Sequence, residues 1–393
     1  MIDSIFIAQS GLGGHEKGLK TLSNNVANMN TPGFKSSQAQ FADVFLSSGG
    51  DPAGAGADGG GSGVQTLPAT LNFAAGEIRA TGRDLDAALD GPGFFVLRDD
   101  NGRDLYTKAG RFEFDANGRL VTVDNGFEVM ALSGGRLHGL EQGSLKMDPP
   151  VTTTSIVLNG NLTSTPSSTA GVSDHTISNV QVFDAVGGAH TLTVKLVPGT
   201  GGQWAVTISE GATTLGTGTF KIATNSPDPL FSSITFPITA SGQTATITLK
   251  LGPNATGFST GSSSTLAVEK VDGRGPGSIT KFGFDDTGTL VVSYSNGQTR
   301  KGGQLAIAEI GDMDQLEQVS GALFRYSGSN PVNLTVAGTR TKLATASLEL
   351  SNVDLTDQLS SLILVQRGYQ ASSQVLSTAS EMIQDLYEMK SRR

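Results

Sequence analysis

The chain has 393 residues, a net charge of -9 and no cysteine, so disulfide frameworks, thiolate metal sites and cysteine nucleophiles are excluded. Its acids are scattered and no basic stripe answers them, which leaves nucleic-acid binding without support and points to protein partners. Only 37% of residues are hydrophobic and 6% aromatic against 52 glycines, a composition that predicts a turn-rich, mainly β body of two or three domains with an economical core.

The opening Met1-Ile-Asp-Ser-Ile-Phe-Ile lacks the cationic flank and unbroken apolar core of a secretory signal. Nowhere are there about 18 consecutive apolar residues, so neither a cleaved leader nor membrane insertion is expected. From Ile2 the apolar residues Ile2, Ile5, Leu12, Leu19 and Val26, with Gln9, Glu16 and Ser23 between them, follow a three-four spacing that predicts a helix with one seam. Gly11, Gly13, Gly14 and Gly18 interrupt it, each costing about 0.5 to 1 kcal/mol relative to Ala. Alone, this segment is expected to be largely unfolded or a broken helix on the body, ordering when neighbouring copies bury its seam. Residues 24–35, with Asn24, Asn25, Asn28 and Asn30 ahead of Thr31-Pro32-Gly33, read as a helix stop and a sharp turn.

The stretch Ser47 to Gly63 is almost wholly Gly, Ser, Ala and Asp and predicts a linker, since it lacks the Gly-Lys-Ser/Thr ending of a phosphate loop. Short alternating strands follow at Phe94-Leu97, Leu105-Thr107, Arg111-Phe114 and Arg119-Val123, separated by Asp-Asn-Gly and Ala-Asn-Gly hairpin signals. Asp99-Asp100-Asn101-Gly102 lacks the spaced ligands and closing Glu of a calcium loop and reads as one of these turns. Phe112-Glu-Phe-Asp-Ala-Asn-Gly-Arg-Leu120 is echoed by Phe282-Gly-Phe-Asp-Asp-Thr-Gly-Thr-Leu290, which implies one discontinuous β domain interrupted by an insert. The insert, about Thr152 to Asp272, alternates β-formers with Thr, as in His190 to Val197 and Ala245 to Leu251, and predicts a sandwich or barrel with Trp204 in its core.

The last segment carries a heptad seam through Leu355, Leu359, Leu362, Gln366, Tyr369, Ser373, Leu376, Ser380, Ile383 and Tyr387. Asp354 and Asp357 suit the start of this helix and Lys390, Arg392 and Arg393 its end, and from Leu355 to Lys390 it would run roughly 54 Å. Chemistry is hard to place anywhere. His15, His138, His175 and His190 show no metal spacing, Asp84, Asp86 and Asp90 suit a turn or interface, and no nucleophile has a visible base. No enzyme activity and no cofactor or metal are expected.

Three blocks carry a resemblance. Asn24-Asn25-Val26-Ala27-Asn28-x-Asn30-Thr31-x-Gly33-Phe34-Lys35 resembles the signature of bacterial flagellar rod and hook proteins. So do Gly82-Arg83-Asp84-Leu85-Asp86 with Gly91-x-Gly93-Phe94-Phe95-Val96, and Ser351-Asn352-Val353-Asp354-Leu355 with Gln366-Arg367-x-Tyr369-Gln370-Ala371. The blocks cover roughly 1–132 and 280–393, in family order.

The resemblance implies a fold that is mainly β with long terminal α-helices. A helical coiled-coil assembly domain would come from 1–34 and 350–393, followed by a Gly/Ser-rich linker at 35–64. A discontinuous β domain from 65–150 and 275–345 would carry an inserted outer β-sandwich or barrel domain at 151–274. It also implies a helical homopolymer with the terminal helices in the inner tube, other axial partners (rod, hook cap and hook-filament junction proteins), and export by the flagellum's own apparatus. The expected interface is Ile2, Ile5, Leu12, Leu19, Val26, Asn24, Asn25, Asn28 and Asn30 with Leu355, Leu359, Leu362, Gln366, Tyr369, Leu376 and Ile383. An insert as long as 152–272 favours a hook subunit, the flexible joint that passes torque to the filament, over a rod subunit. From another class, a secreted β-sandwich binding protein or adhesin would need only the middle domain.

Overall fold

In the computed structural model, described for residues 2–43, 63–163, 174–223, 226–240, 242–259, 264–338 and 340–391, alternation and turn chemistry give a mainly β molecule with one helix near each end. The chain forms two compact units. One comprises Met1–Gly143, Phe282–Val291 and Lys301–Arg393; the other comprises Ser144–Lys281 and Val292–Arg300.

In the first unit, helix α1 (Ile2–Ala27) leads into strand β1 (Ser37–Asp43), which pairs antiparallel with β2 (Val64–Leu71), Ser37 opposite Leu71 and Asp43 opposite Val64. The Gly/Ser-rich stretch between them lies outside the described residues except for Gly63. A larger sheet is organised around strand Phe94–Arg98, which pairs with Asp104–Thr107, Glu128–Ser133 and Ile307–Glu309. Its core includes Phe94, Val96, Met130, Ala308 and Phe324. Edge-to-face stacking of Phe73, Phe94 and Phe324, with centroids 5.4 to 6.0 Å apart, adds orientation to that burial. The echoed segments meet here. Phe112 stacks on Phe284 with centroids 6.4 Å apart and Phe114 on Phe282 at 4.6 Å, so the two copies of the pattern lie against each other.

Most of the second unit is a sandwich of two sheets. Strands His175–Phe183, Ala189–Pro198, Gln203–Glu210 and Thr213–Ala223 form an antiparallel meander. Ser233–Ala240, Gln243–Thr256, Ser155–Asn161 and Ala267–Val271 form the other sheet, with Ser155–Asn161 parallel to Gln243–Thr256. Inward residues of both sheets share one core, including Val194, Leu196, Val206, Phe236 and Leu249, while Thr191, Thr246 and Lys250 face out. Trp204 lies in this core, 1% exposed, with its indole N–H donated to the Thr163 carbonyl at 3.3 Å.

Four turns share one construction. Asp99, Asp115, Asp184 and Asp285 each accept, on Oδ1, backbone N–H groups two and four residues on, at 2.7 to 3.0 Å. The residue three on is always glycine, with φ between +75° and +88°, where a Cβ would be strained. Hydrogen bonds from the Arg103 and Arg119 amides head the causes that hold the Asp99 and Asp115 carboxyls below the usual range. At Asp285 burial opposes the charge, but the Thr287 hydroxyl, the Thr289 N–H and Lys301 outweigh it and bring the pKa to about 2.

At Asp184 the turn gains a cation. His190 Nδ1 lies 2.8 Å from Glu210 Oε1 and its Nε2 lies 3.4 Å from Asp184 Oδ2, so both ring nitrogens face carboxylates and the imidazolium satisfies both. Burial alone would lower this pKa, but the bonds to Glu210 and Asp184 raise it overall. A raised pKa means that the native state takes up a proton, so the stabilisation is complete below about pH 6.5 and is lost as pH climbs through the folded-state value. The expected result is a gap in unfolding temperature between the wild type and His190→Gln that is widest near pH 5 to 6 and narrows as pH rises. Thermal melts across that range check it, and a gap independent of pH would contradict the ion-pair account.

Candidate assembly surface at the helix pair and its neck

Helix α2 (Leu355–Ser391) starts where sequence places its cap: Asp354 Oδ1 accepts the Thr356 N–H at 2.7 Å and the Asp357 N–H at 3.3 Å. It runs antiparallel to α1 in a fixed register. Asn25 Nδ2 donates to Gln358 Oε1 at 2.9 Å, a Cβ on Gly18 would sit 3.4 Å from Val365, and one on Gly11 would sit 3.0 Å from Ser372 Oγ. A Cβ on Gly368 would collide with the His15 ring. Each step forward on α1 is matched by one step back on α2.

This register explains why α1 is continuous where its glycines predict a broken or unfolded segment. Gly11 and Gly18 face α2, a Cβ on Gly14 would press to 3.3 Å from the Phe41 ring of β1, and of the four only Gly13 looks into open space. Close approach of helix, helix and ribbon offsets what the glycines cost in propensity. Lys17 Nζ donating to Thr66 Oγ1 at 2.6 Å and the Val64 N–H donating to Ser10 Oγ at 3.1 Å fasten β2 to the same helix.

The expected interface residues divide between two environments. Ile5, Leu12, Leu19 and Val26 of α1 are half-buried, as are Leu362, Leu376 and Ile383 of α2. Leu355, Leu359, Gln366 and Tyr369 are exposed on the isolated chain, and Ile2 opens α1. The more sheltered face of α2 also runs through Gln358, Val365, Gly368, Ser372 and Ala379, small or polar residues that a hydrophobic heptad does not mark. Asn24 and Asn30 are exposed and Asn28 is half-buried, its Nδ2 donating to the Asn24 carbonyl at 2.9 Å and its Oδ1 accepting from the Thr31 hydroxyl at 3.1 Å.

Asn25 is buried and fully engaged. Its Nδ2 also donates to the Ser37 carbonyl at 2.8 Å and its Oδ1 accepts the Ser37 N–H at 3.0 Å, joining α1, α2 and β1 through one amide. Below it, the chain leaving α1 and the chain entering α2 cross in a neck. Lys35 and Glu349 form an ion pair at 2.7 Å with side chains 0% and 1% exposed. Lys35 Nζ also donates to the Ala74 carbonyl at 2.7 Å, and the same Glu349 oxygen accepts the Gly76 N–H at 2.9 Å. Asn352 closes the crossing, accepting the Ser36 N–H at 2.8 Å and donating to the Asn72 and Ala74 carbonyls at 2.7 and 3.0 Å. Gly33 at φ +69° donates its N–H to the Glu349 carbonyl at 2.8 Å, and a Cβ there would collide with the Ala109 backbone.

A second buried lysine borders the pair. Lys108 Nζ donates to the Gly91 carbonyl at 2.6 Å and sits 5.2 Å from the Phe94 ring centroid. Burial lowers its pKa to about 8; the charge of Lys35 adds to this and that of Glu349 opposes it. Of the acids weighed for chemistry, Asp86 is buried, accepts the Thr81 hydroxyl at 2.7 Å and lies 3.7 Å from Arg83, which closes a turn. Among the described residues no group of three or more His, Asp or Glu is placed to hold a metal ion.

Two expectations follow from this geometry. Lys35→Met or Glu349→Gln leaves its partner buried without a countercharge and should cost about 3 to 5 kcal/mol in denaturant unfolding, with the double replacement Lys35→Met, Glu349→Leu costing less than either single change. Gly13→Ala should strengthen α1 by about 0.5 to 1 kcal/mol, whereas Gly368→Ala, which drives a methyl into His15, should weaken the helix pair; amide exchange in α1 reads both.

The helix pair and neck coincide with regions shared with known proteins. Residues 5–35 match the family described as flagella basal body rod protein, residues 88–164 the flagellar hook protein FlgE/F/G D1 domain, and residues 344–389 the flagellar basal body rod FlgEFG protein C-terminal family. The flagellar hook protein FlgE of Salmonella typhimurium is 32% identical over 413 aligned positions, which span 98% of this chain and 99% of that protein. The hook proteins FlgE of Escherichia coli K12, 30% identical over 98% of this chain, and of Treponema pallidum, 28% identical over 99% of it, align over 99% and 100% of their own lengths. The crystal structure of Helicobacter pylori flagellar hook protein FlgE2 superposes with a TM-score of 0.45 at 13% identity, covering 69% of this chain and 100% of that one. From its first helix to its last, this chain belongs to the bacterial flagellar hook protein family.

Proposed function

We propose that this chain is the repeating subunit of the flagellar hook, polymerising with copies of itself into a helical tube that bends at each turn while passing torque from rod to filament. One observation carries the structural side of this reading: α2 keeps large apolar residues exposed on both flanks of the face that α1 covers. Leu355, Leu359 and Ile363 lie on one flank, and Leu364 and Val375 on the other, each at least 41% exposed. A monomeric soluble protein rarely leaves such stripes open, and a helix lattice with neighbours on both sides would cover them. The near full-length match to hook proteins favours the hook over a rod subunit or a secreted β-sandwich binding protein.

In this reading residues 1–34 and 350–393 form the inner assembly domain, the 65–150 and 275–345 segments the next layer, and 151–274 the outer one. The inner helices resist twist, and the outer sheets, whose surfaces are rich in Thr and Gly, slide on their neighbours. Rod, hook cap and hook-filament junction proteins would dock at the two ends of the tube, and export would use the flagellar apparatus without a cleaved signal. Among the described residues no helix is long and apolar enough to cross a membrane. Leu359→Lys or Ile363→Lys should leave the unfolding temperature within a few degrees of wild type but abolish tube formation and motility in a host lacking its own hook protein. Normal tubes from both variants, seen by electron microscopy, would remove the helical-lattice account.

A further inference from the structure

The chain has no cysteine, so its seven methionines hold all of its sulfur. A thioether is oxidised by oxygen-transfer reagents where they can reach it, and exposure therefore ranks the sites. Met130 lies in the core of the sheet around Phe94–Arg98, 1% exposed, and Met29 and Met313 are half-buried. Met147, Met382 and Met389 are 58%, 50% and 64% exposed.

Two of these three share one face of α2. With Gly11 opposite Ser372 and Gly18 opposite Val365, Ile2 falls level with Glu381, so the stretch from Met382 to Ser391 has no partner from α1. In that overhang Met382, Leu386 and Met389 follow the i, i+4, i+7 spacing and make a single apolar stripe. Glu381, Asp385 and Glu388 run beside it as an acidic stripe, which repels anions and leaves a neutral peroxide free to approach. With no packing from α1, the last turns of α2 depend on intrinsic propensity, to which methionine contributes well.

We propose that Met382 and Met389 form an oxidation site: hydrogen peroxide converts both thioethers to sulfoxides in the free chain, which loosens the last turns of α2 and removes the capacity to assemble. At each sulfur a lone pair takes one oxygen from the peroxide. The S–O bond forms as the O–O bond breaks, and the second oxygen leaves as water with both protons. Sulfur is oxidised and the peroxide reduced by the same electron pair. Leu386 then lies between two polar, chiral side chains, and the stripe can no longer be buried without desolvating their S–O dipoles. Met147 supplies an internal control, because it lies in the short strand Met147–Asp148 of the other unit and its oxidation leaves α2 untouched.

The loss of assembly rests on the homopolymer reading; the oxidation and the loosening of the helix do not. Hydrogen peroxide applied to the purified full-length chain, followed by peptide mass spectrometry, should add about 16 Da at Met382 and Met389 about tenfold faster than at Met130. Amide exchange should then quicken across residues 382–391 and stay unchanged in the β strands. The oxidised chain should form no tubes, and reduction by methionine sulfoxide reductases should restore them. Met382→Leu combined with Met389→Leu, which keeps volume and apolarity, should form tubes with or without peroxide, whereas Met147→Leu should give no protection. Met382 and Met389 reacting no faster than Met130, normal tubes from the fully oxidised chain, or loss of tubes by the peroxide-treated double variant would each overturn the proposal and leave the hook reading standing. Failure of the untreated chain to form tubes would count against the hook reading, and the oxidation rates and amide exchange would still decide the site.

Discussion

The junction of the helix pair with the β strands of the first unit turns on a buried ion pair. Lys35 and Glu349 are distant in sequence and meet at 2.7 Å with no exposure to solvent, at the point where the chain leaves α1 and returns to α2. Two buried charges are costly to desolvate, and here the cost is offset by further bonds from Lys35 to Ala74 and from Gly76 to Glu349, so both ions are held by backbone as well as by each other. The arrangement is directional. Each added hydrogen bond fixes where the two strands cross, and with Asn352 and Asn25 it ties four chain segments into one neck. An apolar neck of equal volume could be more stable, yet it would not define one crossing geometry so narrowly.

That fixed neck gives the helix pair its register, and the register is read by small residues. Gly11, Gly18, Gly368 and Ser372 let the backbones approach where larger side chains would hold them apart. Close contact of this kind adds dispersion while burying little apolar area, so the pair is ordered without being strongly self-sufficient. In the proposed polymer the missing stabilisation would be recovered as neighbours cover the flanks of α2.

Much of the β architecture was legible because its signals are local. Asp-x-x-Gly specifies its turn through one carboxylate and one left-handed glycine, and so Asp99, Asp115 and Asp285 stand where the hairpin signals put them. The echo of Phe112-Glu-Phe114 in Phe282-Gly-Phe284 implied a shared domain, and the rings do stack. Trp204 followed from alternation alone. The neck was not legible. A lysine after Gly-Phe and a glutamate between Leu348 and Leu350 look like ordinary surface charges until topology brings them together; the only local hint is that Glu349 lies between apolar neighbours on a three-residue strand that is buried throughout. The phase of the α1 contact on α2 was hidden for a different reason: hydrophobicity marks Leu355 and Leu359, whereas close approach selects glycine, serine and alanine.

The two faces of α2 can therefore be assigned different physical tasks. A face lined by Gly368, Ser372 and Ala379 sets a short interhelix distance and tolerates little sliding, because the nearest atoms already touch. Flanks bearing Leu, Ile, Val and Met can slip by fractions of a turn without losing burial, since these side chains repack among near-equivalent rotamers. A tube that bends as it rotates needs both properties in its wall: a hard contact within each subunit that transmits twist, and a soft contact between subunits that shortens and lengthens along the curve. In the proposed tube, placing them on different faces of one helix would let the inner wall carry torque and yield slightly as the outer sheets slide.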